Sequence, residues 1–370
     1  MGKLRYIGFI VDSRLPGFSE CFKFHCTPRA LISGWPSGSS VFLMRFQWIA
    51  DYINQTHPYN LHYELYRPWR KYAGVIFLKS MGKTCAELAR RLRTPGVSTV
   101  FDTNVDYFTP ASGTFYYEGM APTNEQRQAA IEIAELCDSV IGDSKYLTEV
   151  ASKYNSRAKW IPDNVWDDLI TSGNSWKPGQ SKIPLLWSGA SIKLFELLLI
   201  SDILIQYSGD VSLKLVTNSL DALDSWYSPY KIQFLELLSQ VQHEFIPFTS
   251  VEDLMEIYSA GGVCISPRFM NNTYNQGHTE WKITLGMARG RVALCSEVPS
   301  YVDVFERADG VGIRICKNDE EWRRVFEEIL SSDFDWEKEQ EAAMKVVGEY
   351  YSTEVVAQMH ADFLNEILSD

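Results

Sequence analysis

Short apolar segments alternate with longer amphipathic ones along most of the chain. In the first half, six apolar segments of strand length are separated by stretches whose apolar residues recur with the period of a helix. The six predicted strands are residues 6–12, 61–66, 74–79, 97–102, 139–144 and 158–163. Because a helix between two strands usually links parallel neighbours, this alternation predicts an α/β domain with a parallel sheet over residues 1–165.

The same alternation begins again after a polar break. Residues 166–182 are rich in Gly, Ser and Pro and show no clear period, which predicts a linker between domains. Six further apolar segments follow, at residues 183–189, 211–218, 243–248, 261–267, 291–296 and 311–316. Their nearly continuous apolar character predicts strands buried on both faces by helices. The chain is therefore predicted to form two doubly wound, Rossmann-like α/β domains, the second over residues 183–335.

The last segment differs from both halves. Residues 336–370 contain two stretches of helical period and no predicted strand. We expect this segment to form helices that reach back over the first domain.

Length and composition agree with two folded domains. The chain has 370 residues, and 45% of them are hydrophobic, whereas single hydrophobic cores stop growing at about 250 to 300 residues. No apolar run has the length of a membrane span, so we expect a cytoplasmic protein. The seven cysteines lack CxxC spacing and the six histidines are scattered, so neither a disulfide framework nor a metal site is predicted.

The charge is spread unevenly along the chain. A net charge of −12 argues against nucleic-acid binding. Residues 1–165 nevertheless carry 19 Lys and Arg against 15 Asp and Glu, and the basic runs 67–71 and 89–93 lie there, the first around Trp69. Such runs are either solvated helix faces or contacts to an anionic acceptor or a membrane surface. Peripheral membrane contact through the first domain is therefore an open expectation.

A turn of small residues follows the first strand of the second domain. Ser188 and Gly189 end this strand, and Lys193 stands at the start of the next helical stretch. A small-residue turn lets backbone amides approach an anion, although a tight turn beside a solvated lysine has the same pattern.

A second lysine stands in an unusual place. Gly277, His278 and Thr279 precede a predicted helix whose first turn contains Glu280, Trp281 and Lys282. A cation in the first turn opposes the helix dipole unless an anion shares the site. Because ligands of doubly wound domains collect at the carboxyl ends of the strands, the two lysines together predict a bound diphosphate.

Other common sites are not supported by motifs. The first strand is not followed by GxGxxG, and neither GxxxxGK[ST] nor GxSxG occurs. These absences argue against a dinucleotide-binding dehydrogenase, a P-loop nucleotidase and a serine hydrolase of the usual type.

The segment from Ser266 to Tyr301, SPRFMNNTYNQGHTEWKITLGMARGRVALCSEVPSY, resembles the donor-binding segment of retaining GT-B glycosyltransferases of the family-4-like group. Lys282 and Gly290 match a lysine and a glycine that some members carry eight residues apart. Residues 137–165 and the segment LLWSGASIKLFELL resemble the end of that family's first domain and the opening of its second. The resemblance extends over about residues 137–330 and implies two domains facing each other across a cleft.

The resemblance implies roles for several residues of the second domain. Gly189 and Lys193 lie where the family places its small turn and a basic residue for the donor diphosphate, and Lys282 with the amides of residues 277–279 completes that site. Family members commonly have a glutamate five residues before the glycine, and this chain has Leu285 there. Glu280 is then the candidate for the ribose, or else a charge partner of Lys282.

In the first domain the resemblance points to two segments. The family often places a histidine or an acidic residue after the fourth strand, and this chain has Asp102 and Asp106 there. A carboxylate facing the sugar would stabilise positive charge at the anomeric carbon, whereas a loop cap and an exposed side chain are the alternative roles. The segment before the first long helix resembles the family's glycine loop, where the acceptor or leaving phosphate would lie. Its candidates are Gly38, Ser39, Ser40 and Arg45.

These features predict a glycosyltransferase that moves a sugar from a nucleotide-diphosphate sugar to a glycan, lipid-linked or small-molecule acceptor. Retention of configuration is implied by the resemblance alone. No metal and no cofactor besides the donor is expected, because helix amides and lysines would neutralise the leaving group. Two alternatives remain: a non-catalytic protein that binds sugar nucleotides or glycans on the same frame, and a sugar-nucleotide epimerase, which the basic first domain disfavours.

Overall fold

A computed structural model describes residues 3–11, 40–93, 96–113, 121–173, 182–220, 223–224 and 228–369. Within these residues the chain forms two parallel six-stranded sheets with helices around them. Each of the twelve predicted strands is present, with bounds that differ from the prediction by a few residues. The predicted α/β class with two Rossmann-like domains is confirmed.

The first sheet consists of β1 (Arg5–Val11), β2 (Leu61–Leu65), β3 (Gly74–Leu78), β4 (Ser98–Thr103), β5 (Ser139–Gly142) and β6 (Ala158–Trp160). Its helices are α1 (Ser40–Phe42), which continues through a π-helical turn (Leu43–Gln47) into α2 (Trp48–Thr56), then α3 (Lys83–Arg93), α4 (Asn124–Leu136) and α5 (Lys145–Ser152). Short 3₁₀ turns lie at Pro58–Asn60 and Asp167–Leu169. The strands are ordered β2-β1-β3-β4-β5-β6.

The second sheet consists of β7 (Ile183–Ser188), β8 (Val211–Thr217), β9 (His243–Pro247), β10 (Val263–Ser266), β11 (Val292–Ser296) and β12 (Ile313–Cys316). A 3₁₀ helix (Ser191–Ile200) leads into α6 (Ser201–Gln206), followed by α7 (Ser228–Gln240), α8 (Val251–Ser259), α9 (Thr273–Gln276) and α10 (Trp281–Ala288). The chain ends in α11 (Pro299–Arg307), α12 (Asp319–Leu330), α13 (Trp336–Tyr350) and α14 (Thr353–Ile367).

Strand order fixes where a ligand can bind. The second sheet is ordered β12-β11-β10-β7-β8-β9, so the chain reverses its direction of winding between β7 and β10. In the first sheet the same reversal lies between β1 and β3. A crevice opens outside the carboxyl ends of the strands at such a point, because the flanking connections leave to opposite sides.

The helical stretch after β7 differs from the expected α-helix. Residues 191–200 form a 3₁₀ helix, in which side chains three residues apart lie on one line. Lys193 and Glu196 have this spacing and are the two ionisable residues of an otherwise largely apolar stretch. The 3₁₀ conformation therefore brings both side chains to the same face.

The end of the chain returns to the first sheet. Val165 donates its backbone N–H to the carbonyl of Tyr351 (2.8 Å) and accepts from the N–H of Thr353 (2.9 Å). Apolar side chains of α14, among them Val356 and Leu364, are buried in the same core as β1 and β2. Within the described ranges, no helix is both long and apolar enough to cross a membrane.

Candidate functional site

A cavity of about 750 Å³ lies between the carboxyl ends of the two sheets. From the first sheet it is lined by Lys79, which follows β3, and by Asn104 and Val105, which follow β4. The second sheet contributes the residues after β7 and β10 and the start of α10. The cavity therefore lies beside the points where the strand order reverses in both sheets, which is where a ligand is expected to bind.

Lys282 is the second residue of α10 and lines the cavity. Its Nζ atom lies 4.1 Å from the centroid of the Trp187 ring. Among the described residues Nζ has no hydrogen-bond partner, although it is shielded from solvent. Burial, and then the nearby Arg268 guanidinium, hold the pKa of Lys282 well below its ordinary value. Lys282 therefore lines the cavity with a terminal nitrogen whose hydrogen-bonding capacity is unused by the described protein groups.

Lys193 is held by two aromatic side chains. Its Nζ atom lies 2.8 Å from Nε2 of His278 and 4.9 Å from the ring centroid of Tyr274. Burial lowers the pKa of His278 well below its ordinary range, and the cations around it, Arg268 and Lys193 first, lower it further. The imidazole is therefore neutral, and Nε2 accepts the hydrogen bond that the ammonium donates.

Two further cations line the cavity without having been singled out in the sequence. Arg268 donates from Nη1 to both oxygens of Glu196, at 3.1 and 2.8 Å, and both side chains are buried. Lys79 adopts a left-handed conformation, with φ of 51°, and donates its N–H to the carbonyl of Asp102 (2.7 Å). Lys79 is the last residue of the predicted strand 74–79, and Arg268 directly follows the predicted strand 261–267, so an examination of every strand end for basic residues could have found them.

The predicted small-residue turns leave room beside the lysines. A Cβ atom on Gly189 would lie 3.1 Å from the Trp187 ring and 3.6 Å from Nζ of Lys282. The N–H of Gly189 is donated to the carbonyl of Val216 (3.0 Å), so this amide is used within the sheet. Ser188 also lines the cavity and shares a hydrogen bond of 3.0 Å with the hydroxyl of Tyr258.

The segment before α10 joins the two domains. Gly277 packs so closely on Asp106 that a Cβ atom there would lie 2.7 Å from Cβ of the aspartate. Thr279 donates from Oγ1 to Asp163 and accepts from the N–H of Trp281 (3.2 Å). Gly277, His278 and Thr279, which were predicted to bind the donor, all line the cavity.

Arg45 and Asp102 are paired with each other instead of lining the cavity. Arg45 Nε donates to Asp102 Oδ1 (2.9 Å), and Nη1 donates to Asp163 Oδ1 (2.9 Å) and to the carbonyl of Ile161 (3.1 Å). Arg45, Asp102 and Asp163 are completely buried. Burial raises the pKa of Asp102 to about 6, although Arg45 acts in the opposite direction. In this geometry Arg45 neutralises carboxylates inside the first domain and does not reach the cavity.

Asp106 and Glu280 are also buried away from the cavity wall. Asp106 Oδ1 accepts from the N–H groups of Phe108 and Thr109, both at 2.9 Å, and so caps the loop after β4. Glu280 is the residue before the first turn of α10, and burial followed by Asp163 and Asp143 raises its pKa well above the ordinary value. Glu280 therefore faces other carboxylates and is not a charge partner of Lys282.

The remaining residues singled out in the sequence lie at or before the start of α1 and in α10. Gly38 and Ser39 lie outside the described residues, and Ser40 is the first residue of α1. Leu285 lines the cavity, at the position where family members commonly have a glutamate. Of the described residues that line the cavity, none is acidic. In the described part of the chain, no three His, Cys, Asp or Glu side chains are placed to hold a metal ion.

The chain is similar to known proteins in structure, but it matches no known family or curated protein in sequence. No protein-family model matches the chain, and no curated protein sequence is similar to it. HepE from Anabaena, whose structure contains UDP and glucose, is 12% identical with a TM-score of 0.63, over 98% of this chain and 100% of that one.

Two further solved structures have the same architecture. A glycosyltransferase from Rickettsia africae is 13% identical with a TM-score of 0.62, over the whole of both chains. Sucrose-phosphate synthase from Thermosynechococcus elongatus is 16% identical with a TM-score of 0.58, over 80% of this chain and 74% of that one. The similar structures are GT-B glycosyltransferases, so the resemblance seen in the sequence is confirmed at the level of the fold.

Proposed function

We propose that this protein is a glycosyltransferase, of hexosyltransferase type, that takes its sugar from a nucleotide-diphosphate donor. One observation carries the proposal: Lys79, Lys193, Arg268 and Lys282 converge on one cavity between the two sheets. Glu196 pairs with Arg268, and the described lining of the cavity contains no carboxylate. The excess positive charge suits a ligand with at least two negative charges, as a diphosphate has.

The same cations have a chemical task in sugar transfer. Negative charge grows on the diphosphate as the bond to the anomeric carbon breaks, and fixed cations stabilise that charge in a site shielded from water. Lys282 and Lys193 would supply this stabilisation, with the first amides of α10 beside them. We therefore expect transfer without a divalent metal, and activity that survives EDTA is the result that supports this expectation. Loss of activity in EDTA with recovery on adding Mg²⁺ or Mn²⁺ would contradict it.

The structures of HepE with UDP and with UDP-glucose make uracil the first base to test. A panel of UDP, ADP, GDP and TDP should show one nucleotide that raises Tm, because ligands that bind the native state stabilise it. The corresponding nucleotide sugars are then tested for hydrolysis and transfer. The configuration of the product, followed by NMR of the anomeric proton, tests the expected retention. A protein that no nucleotide stabilises would sink the proposal.

A non-catalytic sugar-nucleotide-binding protein is the second candidate. It is favoured by the position of Asp102, which is tied to Arg45 instead of lining the cavity. A binding protein would be stabilised by the nucleotide and would neither hydrolyse nor transfer the sugar. Conversion of the donor to an isomeric nucleotide sugar without acceptor would instead indicate an epimerase.

We propose a glycan or lipid-linked acceptor, bound from the first domain. The side chain of Trp69 is 61% exposed between Arg67 and Lys71, and an aromatic ring flanked by cations is typical of a membrane interface. Part of the basic charge is already paired, since Arg70 binds Glu64 (2.7 Å). Flotation with vesicles containing phosphatidylglycerol tests the contact. Binding that Trp69→Ala reduces supports it, whereas equal recovery with neutral and anionic vesicles contradicts it.

A further inference from the structure

His278 and Lys193 form a contact across 85 residues of sequence at the wall of the cavity. We propose that His278 is a positioning residue, whose Nε2 atom holds the Lys193 ammonium where the donor diphosphate binds. The inference rests on the proposed function, because it assigns a task to one contact of the proposed donor site.

The imidazole is itself fixed in place. The carbonyl of His278 accepts a hydrogen bond from Oγ of Ser300 (2.6 Å), and its ring meets Tyr274 edge to face, with centroids 5.3 Å apart. The Lys193 ammonium also lies over the Tyr274 ring. One histidine and one tyrosine therefore restrain both the end and the direction of the lysine side chain.

Restraint of the lysine side chain favours ligand binding. The side chain has many rotamers, and ordering them when a ligand binds costs conformational entropy. When the ammonium is already held in the free protein, the ligand does not bear that cost. Preorganisation of the cation thus strengthens binding without adding a contact.

The chemistry of the acceptor matters as much as its position. A carboxylate beside Lys193 would orient the ammonium but would also neutralise it and repel the diphosphate. The neutral imidazole orients the ammonium and leaves its charge available to the ligand. The lowered pKa of His278, caused by burial and by Arg268, Lys193 and Lys282, agrees with a neutral ring.

The experiment distinguishes the contribution of the hydrogen-bond acceptor of His278 from that of its aromatic ring. Titration calorimetry with UDP and with inorganic pyrophosphate is carried out on the wild type, His278→Gln, His278→Phe, Lys193→Met and the Lys193→Met/His278→Phe double variant. Gln keeps a neutral acceptor, and Phe keeps a ring against Tyr274 but accepts no hydrogen bond. His243→Phe, at an exposed histidine of β9, is the control. Tm is measured for every variant, so that loss of fold is recognised.

We expect His278→Phe to weaken UDP binding about tenfold, as loss of a charge-assisted hydrogen bond does. His278→Gln should stay within about threefold of the wild type, since it keeps the acceptor. The double variant should bind as Lys193→Met does, because residues that act through one another are not additive.

Three results decide the inference. Equal UDP affinity of wild type and His278→Phe overturns it, and so does a double variant whose loss is the sum of the single losses. If the wild type binds neither UDP nor pyrophosphate, the proposed function fails and the inference fails with it. A normal wild-type affinity with an additive cycle leaves the proposed function intact and removes only the role of His278.

Discussion

Replacing Lys282 by methionine should make the protein more stable and a poorer binder of UDP. Methionine keeps the length and the apolar character of the lysine stem while it removes the ammonium. In the free protein that ammonium is shielded from solvent without a hydrogen-bond partner among the described residues, and the pKa of Lys282 is lowered accordingly. Under the proposed function, the lysine is placed for a ligand at the expense of the stability of the fold.

The expected magnitude follows from two opposing contributions. Desolvation of one ion costs several kcal/mol in real proteins. The Trp187 ring, 4.1 Å from Nζ, returns about 1–2 kcal/mol through a cation–π contact. We therefore expect the substitution to stabilise the protein by about 1–3 kcal/mol. In a domain of this size, each kcal/mol raises Tm by about 2–4 °C. UDP affinity should fall by about tenfold or more, since a hydrogen bond to a charged group is lost.

The assay is a thermal melt of the variant without and with UDP, alongside calorimetric titration. Lys345→Met is the control, because Lys345 lies on α13 with its side chain 73% exposed and outside the cavity. It should change neither Tm by more than about 1–2 °C nor UDP affinity, as surface substitutions rarely exceed about 0.5 kcal/mol. A Lys282→Met protein that melts earlier and still binds UDP would mean that the lysine serves the fold, and would falsify the assignment of the anion site.

Three further predictions concern the buried charges and the domain contact. Arg45→Met should destabilise the protein by about 3–5 kcal/mol in urea unfolding, the opposite sign to Lys282→Met, because two buried aspartates lose their partner; a change below about 1 kcal/mol contradicts the pairing. Burial raises the pKa values of Asp102 and Glu280 in the folded protein. The stability that these two groups contribute is therefore fully present below their pKa in the unfolded chain, about 4, and is lost as the pH rises through their pKa values in the folded protein. Glu280→Gln should therefore flatten the decline of the urea midpoint between pH 5 and 8, and an unchanged slope would exclude Glu280 as its source. Gly277→Ala should cost about 1–3 kcal/mol and weaken UDP binding, since the new methyl group would lie 2.7 Å from Cβ of Asp106; wild-type melting and affinity would show that the domains tolerate a wider separation.

The sequence predicted the sheets well because their signal is local. Each strand is a short apolar run between turn residues, and each run lies in a parallel sheet. β9, at the edge of the second sheet, is exposed or half-buried, although its apolar run predicted burial on both faces. Lys193 and Lys282 were predicted to lie close together because the carboxyl ends of the strands of a doubly wound sheet share an edge, and both line the cavity. For these two lysines the position at a strand end was enough to place the residue at the cavity, whereas Asp102 and Asp106, at the end of β4 and after it, do not line it.

Partners of individual side chains could not be predicted in this way. Arg45 follows a segment that resembles a phosphate loop, yet it pairs with Asp102 and Asp163, which are 57 and 118 residues away. The residues around Arg45 in the sequence would look the same whether Arg45 bound a phosphate or paired with buried carboxylates. The role of Arg45 is visible only in the folded chain, where hydrogen bonds join its guanidinium to Asp102 of β4 and to Ile161 and Asp163 after β6.

The cations of the cavity and the buried carboxylates of the first domain are separated in space. Cations line the cavity, while Asp102 and Asp163 lie behind it, held by Arg45. A free carboxylate at the wall would repel a diphosphate and would draw the lysines away from it. Arg45 pairs with both aspartates inside the first domain, and neither aspartate lines the cavity. Asp163 also accepts the hydrogen bond from Thr279, so the same carboxylate that is kept out of the cavity fixes the residues leading into α10, whose second residue is Lys282.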